Sequence, residues 1–495
     1  MKKITATNFY DYTKCKYCVY LEKNGDPKLK DKVSDFVKLL WYRGIQHEET
    51  VIKDFIKSKN KSFAEVSRDK PAGKTTLIET INLMKRGVDY IYQGVLMADN
   101  FVGRPDLLEK IKGNSSFGEY YYIPVDIKSG RGYEGEDFDN GKVKKSYWLQ
   151  INFYSLLLGK IQGYLPKFGK IINIDYQELE YKIDLDGKNF IKIKEDISLM
   201  AKGRELYQPT ISSKCDLCRW KTYCKKWANK RKDLSLLFYV GEIKYGLQNY
   251  GINKIEEILK FPLEEWLKKL PEIKKEGHFK GIAEKTFTNL YRRAEVYKQG
   301  KEVFYSRIEF PDSDIEIHFD IEDDPTQDIT YLFGFWIREF SKNKSYYKYF
   351  MAQDINEEEK TVKELWKFLQ ECYGIPIYHY SMHEISTLRR LQQKYKLAPS
   401  PLEQLEEKSI DLYKIIQKYS DWPLTSYGLK SICKFIGFQW SSDDAGGANS
   451  IEWFSKFLSG NKEMGEKILE YNKEDCEATA HLKDYIQKND KFISK

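Results

Sequence analysis

Three groups of residues in this sequence have types and spacings that could do chemistry. In IPVDIKSG (123–130) an aspartate and a lysine stand two apart in a strand-like run. Side chains alternate faces along a strand, so Asp126 and Lys128 share one surface while Ile123, Val125 and Ile127 take the other. In HFDIEDD (318–324) the same alternation puts Asp320 and Glu322 together, and two neighbouring carboxylates repel unless a cation lies between them. The third group is thiols: Cys15 and Cys18 near the start, and Cys215, Cys218 and Cys224 about two hundred residues on. Carboxylates suit hard divalent ions such as Mg²⁺ and Mn²⁺, and thiolates suit zinc or iron.

An isolated D-x-K is more often an ion pair on a solvated strand, so its company decides. Upstream are His47, in the helix-like RGIQHEE, and Asp106, in GRPDLL at a strand start. Downstream, Gln150 and Tyr154 lie four apart in SYWLQINFYSLLLG and share a helical face. Each has a dull explanation alone: a surface histidine, a cap, a satisfied core amide. Together they fit phosphodiester hydrolysis. Carboxylates and an imidazole would hold the ion, which polarises the phosphoryl oxygen and activates water, and Lys128 would orient that water and offset transition-state charge. Around Asp320 and Glu322 the company is Tyr471 and Asp475, four apart in ILEYNKEDCEAT, and Glu384 at a helix start in YHYSMHEISTL. Asp411, in SIDLY, is an accessory candidate.

The elements that must position these residues form an α/β pattern. Residues 31–59 read as two successive helices, YIYQGVLMADNFVGRPDLLEKI as a strand pair, YYYIPVDIKS as a strand and SYWLQINFYSLLLG as a buried helix. KWANKRKD (226–233) reads as a charged joint. Residues 234–300 read as helical, and YGINKIEEIL and KGIAEKTFTNLYRRA look like loose helix-hairpin-helix elements. From 303 the order is three strands, a helix, a fourth strand and then helices, the opening of a ribonuclease H-like fold. The domains are therefore 1–230, a helical connector 231–302, and 303–495.

On these motifs, residues 1–230 resemble the iron-sulfur branch of the RecB-like (PD-(D/E)xK) nucleases, a restriction-endonuclease-type fold. The resemblance implies His47, Asp106 and Asp126 as metal ligands, helped by the carbonyl after Asp126. It implies Lys128 as the catalytic lysine, with Gln150 and Tyr154 contacting substrate. It also implies a [4Fe–4S] cluster held by Cys15 and the Cys215, Cys218, Cys224 run. Cys18 adds a fifth thiol, and Cys15, Cys18, Cys215 and Cys218 would also make a four-thiolate zinc site. Spacing alone does not decide, but the resemblance favours iron-sulfur, since Cys15 precedes Tyr20-Leu21-Glu22 as the family's first ligand precedes its aromatic-rich helix and Cys224 has no role in the zinc version. Residues 303–490 resemble the DEDD exonucleases attached to such nucleases. That implies Asp320, Glu322, Asp475 and Glu384 as metal ligands, with Glu384 standing where the family has aspartate. Tyr471 would orient the attacking water.

Composition sets bounds. The 495 residues carry a net charge of +8, from 82 Lys+Arg against 74 Asp+Glu, which permits nucleic-acid binding without demonstrating it. No apolar run approaches the roughly 20 residues that span a bilayer, and no signal peptide is visible, so a cytoplasmic protein without a membrane partner is expected. AGKTT (72–76) imitates a phosphate-binding loop, but Arg68 stands where that motif needs glycine. The expected function is a Mg²⁺- or Mn²⁺-dependent nuclease, with DNA ahead of RNA as substrate and a helicase as a partner in trans. The competing reading is a nucleic-acid-binding or assembly module with one or both centres silent; a redox sensor is a third.

Overall fold

A computed structural model describes residues 2–134, 142–279, 282–442 and 446–489. They separate into two compact units: Met1–Val33, Val37–Thr210 and Lys214–Cys224 form one, and Ser34–Phe36, Ile211–Ser213 and Lys225–Lys495 form the other. Lys280 and Gly281 of the second hairpin-like element lie outside the described residues.

The first unit is built on a six-stranded mixed sheet ordered Phe63–Glu65, Tyr90–Tyr92, Leu107–Ser115, Gly118–Ile127, Phe168–Ile172, Glu178–Lys182. Gly118–Ile127 pairs antiparallel with Leu107–Ser115 and parallel with Phe168–Ile172. A parallel pair needs a crossover, and the helix Lys145–Gln162 supplies it. This helix is apolar around most of its circumference because it is enclosed: Leu149, Phe153, Leu157 and Leu158 pack with Tyr122 and Leu108 of the sheet and with Phe9 of the helix Ala6–Lys14. The opposite sheet face buries Ile123, Val125 and Ile127 against Val51, Ile52 and Ile56. Both faces are thus covered, and a polar side chain on this strand must find a partner or a ligand.

Several local expectations are corrected. Residues 31–59 are not two separate helices. The helix Asp35–Thr50 passes into a π-helical stretch, Val51–Ile56, and a short 3₁₀ turn, Lys57–Lys59, without a break. The change of winding begins four residues after His47 and turns Val51, Ile52 and Ile56 onto the sheet. YIYQGVLMADNFVGRPDLLEKI is four strands rather than two, with the small hairpin Leu96–Ala98 and Phe101–Gly103 set between the sheet strands. The expected joint at 226–233 is largely helix, Lys221–Arg231, and the division between the two units falls within that helix, at Cys224/Lys225. AGKTT opens an ordinary helix, with Gly73 at the cap of Lys74–Lys85.

In the second unit the helical stretch 231–302 packs on the region that follows it. Phe238 stacks on Tyr427 with ring centroids 3.8 Å apart, and Arg293 Nε donates to Asp421 Oδ1 at 3.0 Å. The five-stranded sheet is ordered Lys344–Met351, Ile329–Glu339, Ile315–Asp324, Ile377–His379, Ile410–Asp411. The first three strands are antiparallel; Ile377–His379 and Ile410–Asp411 add parallel to them. Ile317, Phe319 and Ile321 face a core completed by the helix Glu358–Glu371. The long helix Lys462–Lys488 covers the other face, where the acids lie. Among the described residues no helix is long and apolar enough to cross a membrane.

Candidate active centres

Asp320 and Glu322 lie in the central strand of the second sheet, and a register shift between Glu322 and Asp323 marks a bulge beside them. Asp475 reaches them from the helix Lys462–Lys488. One oxygen from each of Asp320, Glu322 and Asp475 lies within 4.8 Å of the others, and among the described residues this is the only trio of acids, histidines or cysteines so placed. Two of the acids are separately aimed. Asn472 Nδ2 donates to Asp320 Oδ2 at 2.8 Å, Trp440 Nε1 donates to Asp475 Oδ1 at 2.7 Å, and the Tyr471 hydroxyl hydrogen-bonds to Asp475. Gly334 makes the first of these possible: any Cβ there would overlap Asn472 Oδ1.

Burial and mutual repulsion make the trio reluctant to ionise. Burial, then the charges of Asp475, Glu322 and Glu384, hold the Asp320 carboxyl well above the usual carboxylate range. Burial and the Asp475 charge push Glu322 up to about 8. Burial raises Asp475 to about 6, against the lowering pull of Lys430, Tyr471 and Trp440. A carboxyl raised on folding makes the folded state the stronger proton binder. Its favourable contribution is therefore complete at low pH and is lost as pH rises, between about 4.5 and 8 for Glu322. A divalent ion would displace those protons. Calorimetric Mn²⁺ titration in buffers of different ionisation enthalpy is expected to show release of at least about one proton per ion near pH 7. No release near pH 7 would contradict the raised carboxyls.

Glu384 is buried in the first turn of the helix His383–Tyr395, near enough for its charge to act on Asp320 but outside the trio. Its Oε2 accepts no hydrogen bond and lies 3.5 Å from His379 Nδ1. Asp411 Oδ2 is likewise buried without a hydrogen bond, while Asp411 Oδ1 takes the backbone N–H groups of Ser381 and Lys414. The spacing of the chain pointed to Asp320, Glu322, Tyr471, Asp475 and Glu384, but not to Asn472, Trp440 or Lys430. Asn472 is next to Tyr471, so only its neighbour's role could have drawn notice to it.

In the first unit Asp126 is 1 % exposed and is the last residue but one of the strand Gly118–Ile127, with Lys128 just beyond its end. Lys128 Nζ lies 2.8 Å from Asp126 Oδ2, and the charges of Asp126 and Asp106 hold the ammonium above its usual range against burial. Asp106 Oδ2 accepts the Ile127 N–H at 2.7 Å, so the two acids are tied across adjacent strands. Burial and the Asp126 charge hold Asp106 well above the carboxylate range. Glu48, beside His47, accepts from Gln93 Nε2 at 2.7 Å, and Gln93 also reaches Asp106 Oδ1 at 3.4 Å. Glu48 and Gln93 are additions to the set; adjacency to His47 was the available signal for Glu48. Tyr154 is buried and feels the charges of Asp126 and Asp106, and its close approach depends on Gly103, where a Cβ would stand 2.9 Å from the ring. Gln150 sits one turn earlier on the same helix.

Both centres pass one test of fit to a cation. His47 Nε2 and Gln150 Oε1 are buried without a hydrogen-bond partner, as are Glu384 Oε2 and Asp411 Oδ2, whereas Asp126 Oδ2 has the Lys128 ammonium. Buried polar atoms are rarely left so, and a bound ion or substrate would account for them. The first group is looser than the second, since its ligating atoms form no trio within 4.8 Å.

The thiols also converge. Cys15 stands between the helices Ala6–Lys14 and Lys16–Asn24, and its sulfur feels the charges of Cys215 and Cys218. Cys224 feels Cys15, Cys218 and Cys215, and Cys18 hydrogen-bonds to Cys218. Among the described residues no three sulfurs lie within 4.8 Å of one another, so the thiols are gathered without forming a closed tetrahedral cage.

Residues 317–487, about a third of the chain, match a family model described as the RNase H superfamily. No curated protein matches the chain. The matched region spans the second sheet, the trio and the long helix, so the C-terminal region is a ribonuclease H-like α/β domain. Its superfamily is generally one of nucleic-acid hydrolases that use Mg²⁺ or Mn²⁺, and nucleic acid is the substrate class this domain implies.

Proposed function

We propose that the chain is a metal-dependent nuclease, acting as an exonuclease on DNA ahead of RNA, with two phosphodiester-hydrolysing centres. The observation that carries the reading is the convergence of Asp320, Glu322 and Asp475 inside the RNase H-like region. Asp320, Glu322 and Asp475, with Glu384 beside them, would hold Mg²⁺ or Mn²⁺ in the second centre, and His47, Asp106 and Asp126 in the first. A bound ion would supply Lewis-acid stabilisation of the phosphoryl oxygens and hydroxide near neutral pH. The chain's own groups do the rest. Tyr471, bonded to Asp475, would orient a water. Lys128, held by Asp126, brings positive charge to a phosphate bound there. The burial around both sets of acids keeps these interactions in low dielectric, where they are stronger.

Residues 1–230 are read as RecB-like, 231–302 as the connector and 303–495 as the DEDD-type domain, serving DNA repair, recombination or nucleic-acid processing with a helicase in trans. The setting is read as cytoplasmic. For the thiols, the coupling of Cys224 to Cys15, Cys215 and Cys218 favours a [4Fe–4S] cluster on those four. The Cys18–Cys218 hydrogen bond is what favours the zinc alternative. Anaerobically purified protein is expected to carry iron, Cys224→Ser to lose it and Cys18→Ser to keep it, measured by metal analysis. Stoichiometric zinc without iron would overturn the cluster. The nuclease reading is tested with end-labelled single- and double-stranded DNA and RNA in Mg²⁺ or Mn²⁺. Wild-type protein should degrade at least one substrate and Asp126→Ala/Asp320→Ala none; full activity of the double variant would refute it.

A further inference from the structure

The second centre contains a cation that its acid motifs do not announce. Lys430 is the second residue of the helix Leu429–Phe435. Its Nζ stands 4.2 Å from the centroid of the Tyr471 ring and 5.6 Å from that of Trp440. Both rings are themselves anchored on Asp475, Trp440 through its indole N–H and Tyr471 through its hydroxyl. The lysine is therefore steered by two aromatic faces onto the acid trio, and its charge acts on Asp475, Glu322 and Asp320. It is partly exposed, so a ligand entering the centre can reach it.

We propose that Lys430 is the phosphate-facing cation of the second centre, its ammonium meeting a non-bridging oxygen of the substrate phosphodiester beside Asp320, Glu322 and Asp475. The inference rests on the reading of this centre as hydrolytic and adds a substrate-contacting residue to it. Hydrolysis concentrates negative charge on the phosphoryl oxygens, in a place already crowded with carboxylates. A preorganised ammonium offsets that charge without reorganisation. The ring contacts supply the preorganisation: a long, flexible side chain held on two π-faces loses little further freedom when phosphate arrives. Lys128 beside Asp126 has the same relation to the first centre, so each set of acids carries one lysine.

The test uses the full chain in an Asp126→Ala background with a single-stranded, end-labelled oligonucleotide. Lys430→Met keeps an unbranched side chain against the rings and removes the charge; Lys430→Arg restores it. Two readouts are taken: cleavage rate at saturating Mn²⁺, and binding across a KCl series with Ca²⁺ in place of Mn²⁺ to hold cleavage off. Lys430→Met is expected to lower the rate about 10²-fold or more. It should also make the slope of log K against log salt shallower by about 0.7, the loss of one phosphate contact to a single strand. Lys430→Arg should recover the slope and most of the rate. A Lys430→Met protein with the parental rate and slope overturns the proposal. So does an equal loss of rate in both variants with the slope unchanged, which marks a packing role. If the Asp126→Ala parent cleaves nothing, the hydrolytic reading of this centre fails, and the slope still decides whether Lys430 meets phosphate. If Lys430→Met does not fold, Lys430→Gln takes its place in the same two measurements.

Discussion

Asp320→Asn is expected to lower cleavage by the second centre by at least about 10²–10³-fold, comparable to losing one strong electrostatic contact in a catalytic site. The same change should raise the melting temperature of the metal-free protein. Asp320 sits among Asp475, Glu322 and Glu384, all of which raise it, so the ionised form is a cost to the folded state when no cation is present. An asparagine of the same shape removes one charge, and relief of about 1 kcal/mol would lift the transition by about 2–4 °C for a domain of this size. The gain should grow from low pH to high, because at low pH Asp320 is protonated in the native protein as well. Thermal unfolding of metal-free wild type and variant across pH measures it. A variant that loses activity and stability together would mean that the acids are held for structure.

In the first centre the two halves of the Asp126–Lys128 pair should behave differently. The Asp126 side chain is 2 % exposed and that of Lys128 is 21 % exposed. Lys128→Ala strands a buried carboxylate, a change that costs about 3–5 kcal/mol where a buried pair is broken. Asp126→Ala leaves an ammonium that can turn toward water, and should cost less. Both should abolish cleavage by this centre when the second is disabled by Asp320→Ala. Mn²⁺ should restore much of the stability of Lys128→Ala, because its acids remain to bind the ion, and little of Asp126→Ala. Denaturant unfolding with and without Mn²⁺ decides this. Equal metal rescue of both variants would remove Asp126 from the ligand set.

The parts of this architecture written in side-chain alternation were legible from the sequence. In IEIHFDIED the apolar residues at 317, 319 and 321 and the acids at 320 and 322 do occupy opposite faces, and Tyr471 and Asp475 share one side of a helix. Asp126 and Lys128 likewise meet on one surface. What escaped notice depends on tertiary contact. Lys430 comes to the acids only because its helix packs where Tyr471 and Trp440 lie, and a lysine in SYGLKSICK carries no local mark of that. The strand Ile410–Asp411 is two residues long, too short for a periodic signal, and exists because Ile377–His379 offers it an edge. The π-helical stretch after His47 follows from packing of Val51, Ile52 and Ile56 against the sheet, which helical periodicity alone does not encode. The charged run at 226–233 lies beside the unit boundary at Cys224/Lys225, but its helical form was missed because a solvated helical face and a linker have the same composition.

The central claim is that Asp320, Glu322 and Asp475 form a working hydrolytic centre, and one comparison bears on it most directly. Asp126→Ala protein, in which only that centre can act, is incubated with an end-labelled single-stranded oligonucleotide and Mn²⁺, beside the same protein carrying Asp320→Ala. Glu384 stands where a shorter acid is expected, so activity should be modest and should favour Mn²⁺, whose coordination is more tolerant than the near-ideal octahedron of Mg²⁺. Cleavage by Asp126→Ala that disappears with Asp320→Ala is the predicted result. No cleavage of DNA or RNA by Asp126→Ala, with either metal, would contradict it and leave residues 303–490 as a silent binding domain.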